Sequence, residues 1–181
     1  MIEISFFTGE ALLAGCYLFL RVCVWLKNRR IDRKREAALL LMYLYLAVIV
    51  RFVFYPALRE NGKVLPLLFH PNRIWPPRLN LIPFLHQFDY TSKWKMAANI
   101  VGNILLFVPS GILFPLLYKR LDRFLKVTAA GFGLSLCIEL MQLPFRVRTT
   151  DTDDLIQNTL GCMIGYGAYV AIKKRKMNRK E

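Results

Sequence analysis

Five stretches of the sequence are apolar and long enough to cross a lipid bilayer, which takes about 20 residues of helix. They run approximately Phe6–Leu26, Ala37–Tyr55, Ala97–Tyr118, Phe124–Leu143 and Leu155–Ile172. The third and fifth contain no charged side chain, whereas the first holds Glu10 and Arg21 and the fourth holds Glu139. The sequence therefore predicts an all-α fold, a polytopic membrane bundle of about five transmembrane helices.

The composition excludes several classes of protein. Residues of the AVILMFWYC set make up 55% of the chain, yet 26 lysines and arginines stand against 12 acidic residues, which gives a net charge of +14. A soluble domain cannot easily accommodate both, whereas a membrane protein separates apolar spans from basic loops. A conventional soluble enzyme is therefore excluded, and nucleic acid is not needed as a partner to explain the charge.

The basic residues alternate between loops, and this alternation predicts the orientation of the chain. Sixteen of the 26 lie between the first and second spans, around the connection between the third and fourth, or after the fifth. The segment Pro56–Met96 has six and the turn Pro144–Asp154 has two. Because cytoplasmic loops accumulate Lys and Arg, we expect the N-terminus outside and the C-terminus in the cytoplasm. The N-terminal residues Met1–Ser5 carry no basic charge, so we expect the first span to remain as an anchor.

The outer segment Pro56–Met96 contains six of the nine prolines. Proline lacks an amide hydrogen and interrupts helices and central strands, so we expect a Pro-rich extracytoplasmic loop that forms an extended cap. Its apolar pieces Val64–Phe69 and Leu79–Phe84 are candidates to enter the membrane interface. Loops of this length are uncommon unless they are functional.

Cysteine and histidine indicate neither a disulfide nor a zinc centre. All four cysteines lie inside apolar spans, where buried reduced cysteine is the usual state; they are Cys16, Cys23, Cys137 and Cys162. His70 and His86 are isolated in the outer segment, without the spacing of a zinc site.

Polar and small side chains form one stripe on each of the last three spans, at 100° per residue. The stripes are Asn99, Asn103 and Ser110; Ser135, Glu139 and Gln142; and Asp154, Asn158, Gly161 and Gly165. Such a stripe in an apolar helix indicates a face turned toward other helices. In the predicted topology the Asn, Glu, Gln and Asp side chains of these stripes share one depth, in the outer half of the bilayer. Pro109 and Pro115 predict a bend that tilts the start of the third span toward the other two.

Several of these residues have a structural explanation. Asn, Gln and Ser form interhelical hydrogen bonds and Gly161-x-x-x-Gly165 allows close backbone approach, while Asp153 or Asp154 can cap the fifth helix. Glu139 is harder to assign to packing, because an ionisable group inside the membrane costs about 2.5–3.5 kcal/mol. It must be protonated, paired or in contact with water, and Arg148 is its nearest candidate partner in sequence.

Four motifs, taken in order, resemble those of a known family. They are Asn80-Leu81-Ile82-Pro83-Phe84, Asn99-x3-Asn103-x3-Phe107-x-Pro109-x-Gly111, Glu139-x-x-Gln142, and Arg148-x-x-Asp151-x-Asp153-Asp154-x3-Asn158-Thr159-x-Gly161. On these residues the sequence resembles the VanZ-like family of bacterial multi-pass membrane proteins. The resemblance implies a three-span domain at residues 79–172, after a two-span region and the start of the outer loop at 1–78 and before a basic cytoplasmic tail at 173–181. It also implies a bacterial envelope protein, linked in some members to resistance against glycopeptides such as teicoplanin, but it supplies no mechanism.

Two functional interpretations from different classes stay open. In the first, the polar residues form an active site for a membrane lipid or a lipid-linked cell-wall intermediate. The catalytic candidates are then Glu139, Asp154 and Asp151, and the ligand-binding candidates are Arg148, Asn103, Gln142, Asn158, Asn80 and Asp153. The aspartates could also hold a divalent cation, Mg²⁺ or Ca²⁺, against a phosphate. In the second, the same residues bind an envelope component without turnover. A small transporter is a weaker third interpretation, because the spans show no internal repeat.

Overall fold

The computed structural model describes residues 2–29, 31–55, 59–60, 63–73, 79–80, 92–145 and 150–179. Five helices in these ranges are long and apolar enough to cross a membrane. They are α1 (Phe6–Asn28), α2 (Arg33–Ile49, whose candidate span extends to Phe54), α3 (Lys93–Leu117), α4 (Phe124–Gln142) and α5 (Thr152–Asn178). A π-helical segment, Val50–Phe54, continues α2. The prediction of an all-α fold with about five helices that can span a membrane is confirmed.

The described residues also contain six short strands. They are β1 (Ile2–Ile4), β2 (Arg59–Glu60), β3 (Lys63–Val64), β4 (Leu67–Phe69), β5 (Leu79–Asn80) and β6 (Thr150–Asp151). β1 pairs antiparallel with β4, β2 pairs antiparallel with β3, and β5 pairs parallel with β6. Four of these strands lie in the Pro-rich segment, and much of the predicted cap, including residues 81–91, lies outside the described residues.

The helix boundaries follow local capping chemistry. The Ser5 hydroxyl accepts the Thr8 amide at 3.1 Å and begins α1, and the Asp32 carboxylate accepts the amide of Lys34 at 3.0 Å to begin α2. At the far end of the chain α5 continues to Asn178, so residues 173–178 of the expected basic tail are helical. Lys and Arg favour helix and complement the C-terminal end of its dipole.

The chain divides into two compact units. The first consists of residues 1–77 and 143–148, and it contains α1, α2 and the strands β1–β4. Within it Tyr55 is almost fully buried, and its hydroxyl donates a 3.0 Å hydrogen bond to the Ser5 carbonyl. Arg21 and Glu36 form an ion pair that joins α1 to α2, with the Arg21 Nε 2.9 Å from the carboxylate.

The second unit consists of residues 78–142 and 149–181 and contains α3, α4 and α5. In this unit α5 packs against both other helices and most extensively against α3. Three glycines let the backbones of α3 and α5 touch. A Cβ atom at Gly161 would overlap the Ile104 carbonyl oxygen, one at Gly165 would overlap the Val108 carbonyl oxygen, and one at Gly111 would overlap the carbonyl oxygen of the residue after Gly161. These contacts fix α3 and α5 at close range, as small residues do between membrane helices.

α3 runs as one helix through both of its prolines, Pro109 and Pro115. Beside the first of them, the buried Ser110 hydroxyl donates a 2.6 Å hydrogen bond to the Phe107 carbonyl, within the same helix. Ser110 and Phe107 are both fully buried, so this section of α3 lies in the core of the second unit. The predicted bend stays a prediction.

Large apolar side chains cover the outer faces of the helices, for example Phe19, Leu105 and Leu125. In a bilayer such side chains face lipid and need no protein partner. The cysteines illustrate the point: Cys162 is buried, but Cys16, Cys23 and Cys137 are exposed, and all four are free thiols. Burial is the usual state of cysteine in an apolar span; packing within the protein provides it for Cys162, and on the outer face of a span lipid can cover the other three thiols.

Candidate functional site

The side-chain amide of Asn103, on α3, lies between two polar side chains of α5. Its Nδ2 donates hydrogen bonds to Asp154 Oδ1 at 2.6 Å and to Gln157 Oε1 at 3.0 Å. Gln157 is only 6% exposed, and Asn103 and Asp154 are half-buried. The structure thus brings together two residues that the sequence singled out, and it adds Gln157, which the stripe analysis did not include.

A second polar contact joins α5 to α4. The Asn158 Nδ2 donates a 2.9 Å hydrogen bond to the Ser135 hydroxyl, and both residues are buried. The other side-chain atom of Asn158, the acceptor Oδ1, is buried and has no hydrogen-bond partner in the part of the chain that the structure describes. An unpaired buried acceptor costs free energy, so this oxygen has room for a further hydrogen-bond donor.

Glu139 and Gln142 continue the same face of α4 beyond Ser135. Glu139 is 2% exposed and Gln142 is 4% exposed, and each takes part in further interactions. The three residues are spaced by four and by three positions, which places them on one side of a helix. The face of α4 that carries them is therefore turned into the second unit, as the stripe predicts.

The first turn of α5 carries Asp153 and Asp154, and Asp153 is buried. Carboxylates at this position interact favourably with the positive end of the helix dipole. Directly before the helix, the backbone of β6 pairs with that of β5 in a register that places Asp151 opposite Asn80. The Asn80 motif and the acidic motif therefore meet at the start of α5.

We call the following residues the polar cluster: Asn103, Ser135, Glu139, Gln142, Asp153, Asp154, Gln157 and Asn158. All of them belong to the second unit. Two predicted neighbours are not seen there. Asn99 is exposed although it shares a stripe with Asn103, and Arg148, proposed as the partner of Glu139, lies outside the described residues.

The described side chains offer no metal centre, because no three His, Cys, Asp or Glu among them come together. They do offer several amide and hydroxyl groups next to carboxylates inside a membrane bundle. Amides can both donate and accept hydrogen bonds, and carboxylates accept them or exchange protons. The cluster therefore combines hydrogen-bond donors, hydrogen-bond acceptors and groups that can exchange protons.

Comparison with known proteins assigns a family to most of the chain. The model of the VanZ/LLP1 family matches residues 42–173, which include the whole polar cluster. Protein VanZ from Enterococcus faecium is 29% identical to this chain over 141 residues, which are 78% of each protein. No solved structure matches.

Proposed function

The chain belongs to the VanZ/LLP1 family, and on this premise we propose that its polar cluster binds the head group of a membrane lipid or a lipid-linked cell-wall intermediate. Family membership and the five candidate spans support a multi-pass membrane protein of the bacterial envelope. The positive-inside pattern favours a location of the cluster in the outer half of the bilayer. Lipid-linked wall intermediates and extracellular glycopeptides both meet the membrane on that side.

The observation that carries the proposal is the position of Asn103 between Asp154 and Gln157. Membrane helices can pack through small residues alone, and Gly111, Gly161 and Gly165 already bring α3 and α5 into contact. Buried polar and ionisable groups are not needed for that packing, and they are expensive in a membrane. Their concentration on facing sides of α3, α4 and α5 therefore favours a function.

The chemistry of the cluster favours a head group rich in hydrogen-bond donors. Glu139, Asp153 and Asp154 are acceptors when ionised, and the Asn158 Oδ1 is an acceptor without a partner in the described ranges. Sugar hydroxyls, peptide amides and amines supply such donors. Arg148, close to the acidic motif in sequence, is the candidate to hold a phosphate or carboxylate of the same ligand. If the protein binds such an intermediate, glycopeptides such as teicoplanin would reach less of it, and the cell would become more resistant.

A catalytic role is the second candidate, favoured by the environment of Asp154. A general base must be held in a fixed orientation, and the Asn103 amide holds one oxygen of Asp154 at 2.6 Å. In that case Asp154 would exchange a proton with the bound head group, while Glu139 would act as a second acid or base. The two roles differ in whether the ligand is chemically changed.

Charge removal at constant shape tests both roles. Glu139→Gln and Asp154→Asn are expressed in a glycopeptide-susceptible bacterium beside two matched controls, Glu3→Gln and Asp32→Asn, on exposed residues of the first unit. Asparagine can replace Asp32 as a helix cap. We expect all four variants to accumulate as the wild type does, while only the two cluster variants lose teicoplanin tolerance and the lipids that co-purify with the protein.

Mass spectrometry of the lipids then separates binding from turnover. A head group that changes only in cells with the wild-type protein would favour catalysis, whereas retention of an unchanged lipid would favour binding. Full tolerance and unchanged co-purified lipid in both Glu139→Gln and Asp154→Asn, at wild-type abundance, would assign the cluster to packing and refute the proposal.

A further inference from the structure

A cavity of about 630 Å³ lies along α3 and α5, toward the end of the second unit opposite to the polar cluster. Its wall is apolar, with Ile112 and Leu116 from α3 and Ile172 and Met177 from α5. Leu116 is 55% exposed, so the cavity is a cleft that opens to the surroundings of the bundle. Because α3 is a candidate membrane span, lipid is the expected neighbour of this cleft.

Basic side chains line the end of this cleft that is nearest to the C-terminus of α5. Lys173 and Lys176 lie one turn apart on α5, and Arg179 directly follows the last residue of this helix. Lys173 pairs with Asp122 at 2.6 Å, but no carboxylate in the described ranges pairs with Lys176 or Arg179. The cleft thus ends at two cations without a counter-ion from this part of the chain.

Asp122 holds this end of the cleft in position. It follows α3 in the chain, and its carboxylate accepts hydrogen bonds from the hydroxyls of Tyr166 and Tyr169, both at 3.3 Å, as well as from Lys173. Tyr169 is itself part of the cleft wall. Because Asp122 already has three donors from α5, it is poorly placed to receive a further cation from a ligand.

We propose that this cleft is a binding site for an anionic phospholipid, with an acyl chain on the apolar wall and the phosphate group at Lys176 and Arg179. The cleft runs from the apolar section of α5, which ends near Ile172, to the basic section that follows it. A phospholipid has the same order of polarity, because its apolar acyl chains lead to a charged head group. Basic pockets between membrane helices recognise anionic head groups in this way. A zwitterionic lipid would bring an ammonium group to a place where the nearest acid is already occupied by Lys173.

This site is separate from the polar cluster and does not depend on the function proposed for it. Ile112 and Leu116 lie about two and a half and three and a half helical turns beyond Asn103 along α3, and Lys173 and Lys176 follow Asp154 by about five and six turns along α5, at 3.6 residues per turn. The orientation predicted from the loop charges places the cleft in the cytoplasmic leaflet, whose surface carries anionic lipid.

Native mass spectrometry of the full chain in a neutral detergent tests the proposal, with added dioleoyl phosphatidylglycerol or dioleoyl phosphatidylcholine as probes. We compare the wild type with K176Q/R179Q and with the matched control K174Q/R175Q, which removes the same charge from neighbouring residues that do not line the cleft. Two surface cations contribute a factor of about 30 to the affinity for an anionic lipid. We expect K176Q/R179Q to lose about that factor for phosphatidylglycerol, and the control to stay within about threefold of the wild type.

A third variant tests the apolar wall. Leu116→Trp fills the cleft without a change of charge, and because Leu116 is exposed it should fold normally. We expect it also to weaken the binding of phosphatidylglycerol. Equal losses in the two double variants would mean general attraction to the basic helix end, and unchanged binding in Leu116→Trp would mean that the cleft is not used. Either result, or equal affinity of the wild type for both lipids, would overturn the proposal.

Discussion

The side-chain amide of Asn103 donates a 2.6 Å hydrogen bond to the carboxylate of Asp154, and this bond joins the middle of α3 to the first turn of α5. The two residues are 51 positions apart in the chain, with the whole of α4 between them. About two turns further along α5, at 3.6 residues per turn, Gly161 lies against the carbonyl of Ile104, the residue after Asn103. A polar bond and a close backbone contact therefore lie next to each other on the same helix pair, and each can be tested separately.

The Asn103–Asp154 bond should appear as a coupling free energy. A double-mutant cycle with Asn103→Ala and Asp154→Ala, measured as the free energy of unfolding in mixed micelles, is expected to give about 1 kcal/mol, in the range found for hydrogen bonds between membrane helices. The matched cycle combines Asn99→Ala, on the same stripe but exposed, with Asp154→Ala. We expect that pair to be additive within about 0.5 kcal/mol. Additivity in both cycles would mean that the bond adds no stability.

Gly161→Ala should destabilise the second unit, because its new Cβ would overlap the Ile104 carbonyl oxygen. The backbones must then separate, and overpacking of this kind costs about 1–3 kcal/mol. Gly167→Ala, on the same helix with nothing within 4 Å of the new Cβ, is the control and should be neutral or stabilising, since alanine favours helix. The melting temperatures of the two variants in detergent provide the measurement. A neutral Gly161→Ala would contradict the close packing.

Asp122 should make the stability depend on acid pH. The hydrogen bond from Lys173 holds the pKa of the Asp122 carboxyl below its usual range, although partial burial acts in the opposite direction. Because the folded state has the lower pKa, the carboxylate stabilises it above the usual carboxyl pKa of about 3.9, and this contribution is lost as the pH falls through the lowered value. We expect wild type to melt at a higher temperature than Asp122→Asn at pH 7, with a difference that disappears in acid. A difference that persisted at every pH would point to packing rather than charge.

The orientation of the chain is open to direct measurement. In a background with all four native cysteines replaced, Asn61→Cys should react with a membrane-impermeant thiol reagent in intact cells, whereas Asn178→Cys should react only after the membrane is permeabilised. The reason is the excess of basic residues in the loops assigned to the cytoplasm. Labelling of position 178 alone in intact cells would reverse the topology and place the polar cluster in the inner leaflet.

The helices were predictable because their signal is simple and strong. About 20 apolar residues in a row leave few alternatives, and the observed spans differ from the predicted ones by a few residues at their ends. α3 begins about one turn earlier, at Lys93 after Ser92, and α5 extends beyond Ile172 through residues that favour helix. The apolar residues of the sequence indicate which part of a helix lies in the hydrocarbon layer. The helix itself continues as far as its backbone hydrogen bonds do, so it can extend beyond that part.

The site residues were less predictable, because a stripe assumes that a helix has one buried face. α5 contacts both α3 and α4, so Gln157 can face Asn103 while its neighbour Asn158 faces Ser135. The three-residue interval from Asp154 to Gln157 is the sequence signal that would have included it. Asn99 shows the opposite error: it shares the stripe of Asn103 but is exposed. Only the position of the partner helices decides how wide and how long a buried face is.

The pairing of β1 with β4 sets an order for biogenesis. Leu67–Phe69 follows both α1 and α2 in the chain, so Ile2–Ile4 can pair with it only after both helices have been synthesised. Until Leu67–Phe69 has left the ribosome, Ile2–Ile4 lacks the strand that it pairs with in the folded chain. We therefore expect a bulky fusion before Ile2 to interfere with this pairing more than a fusion at the far end of the chain.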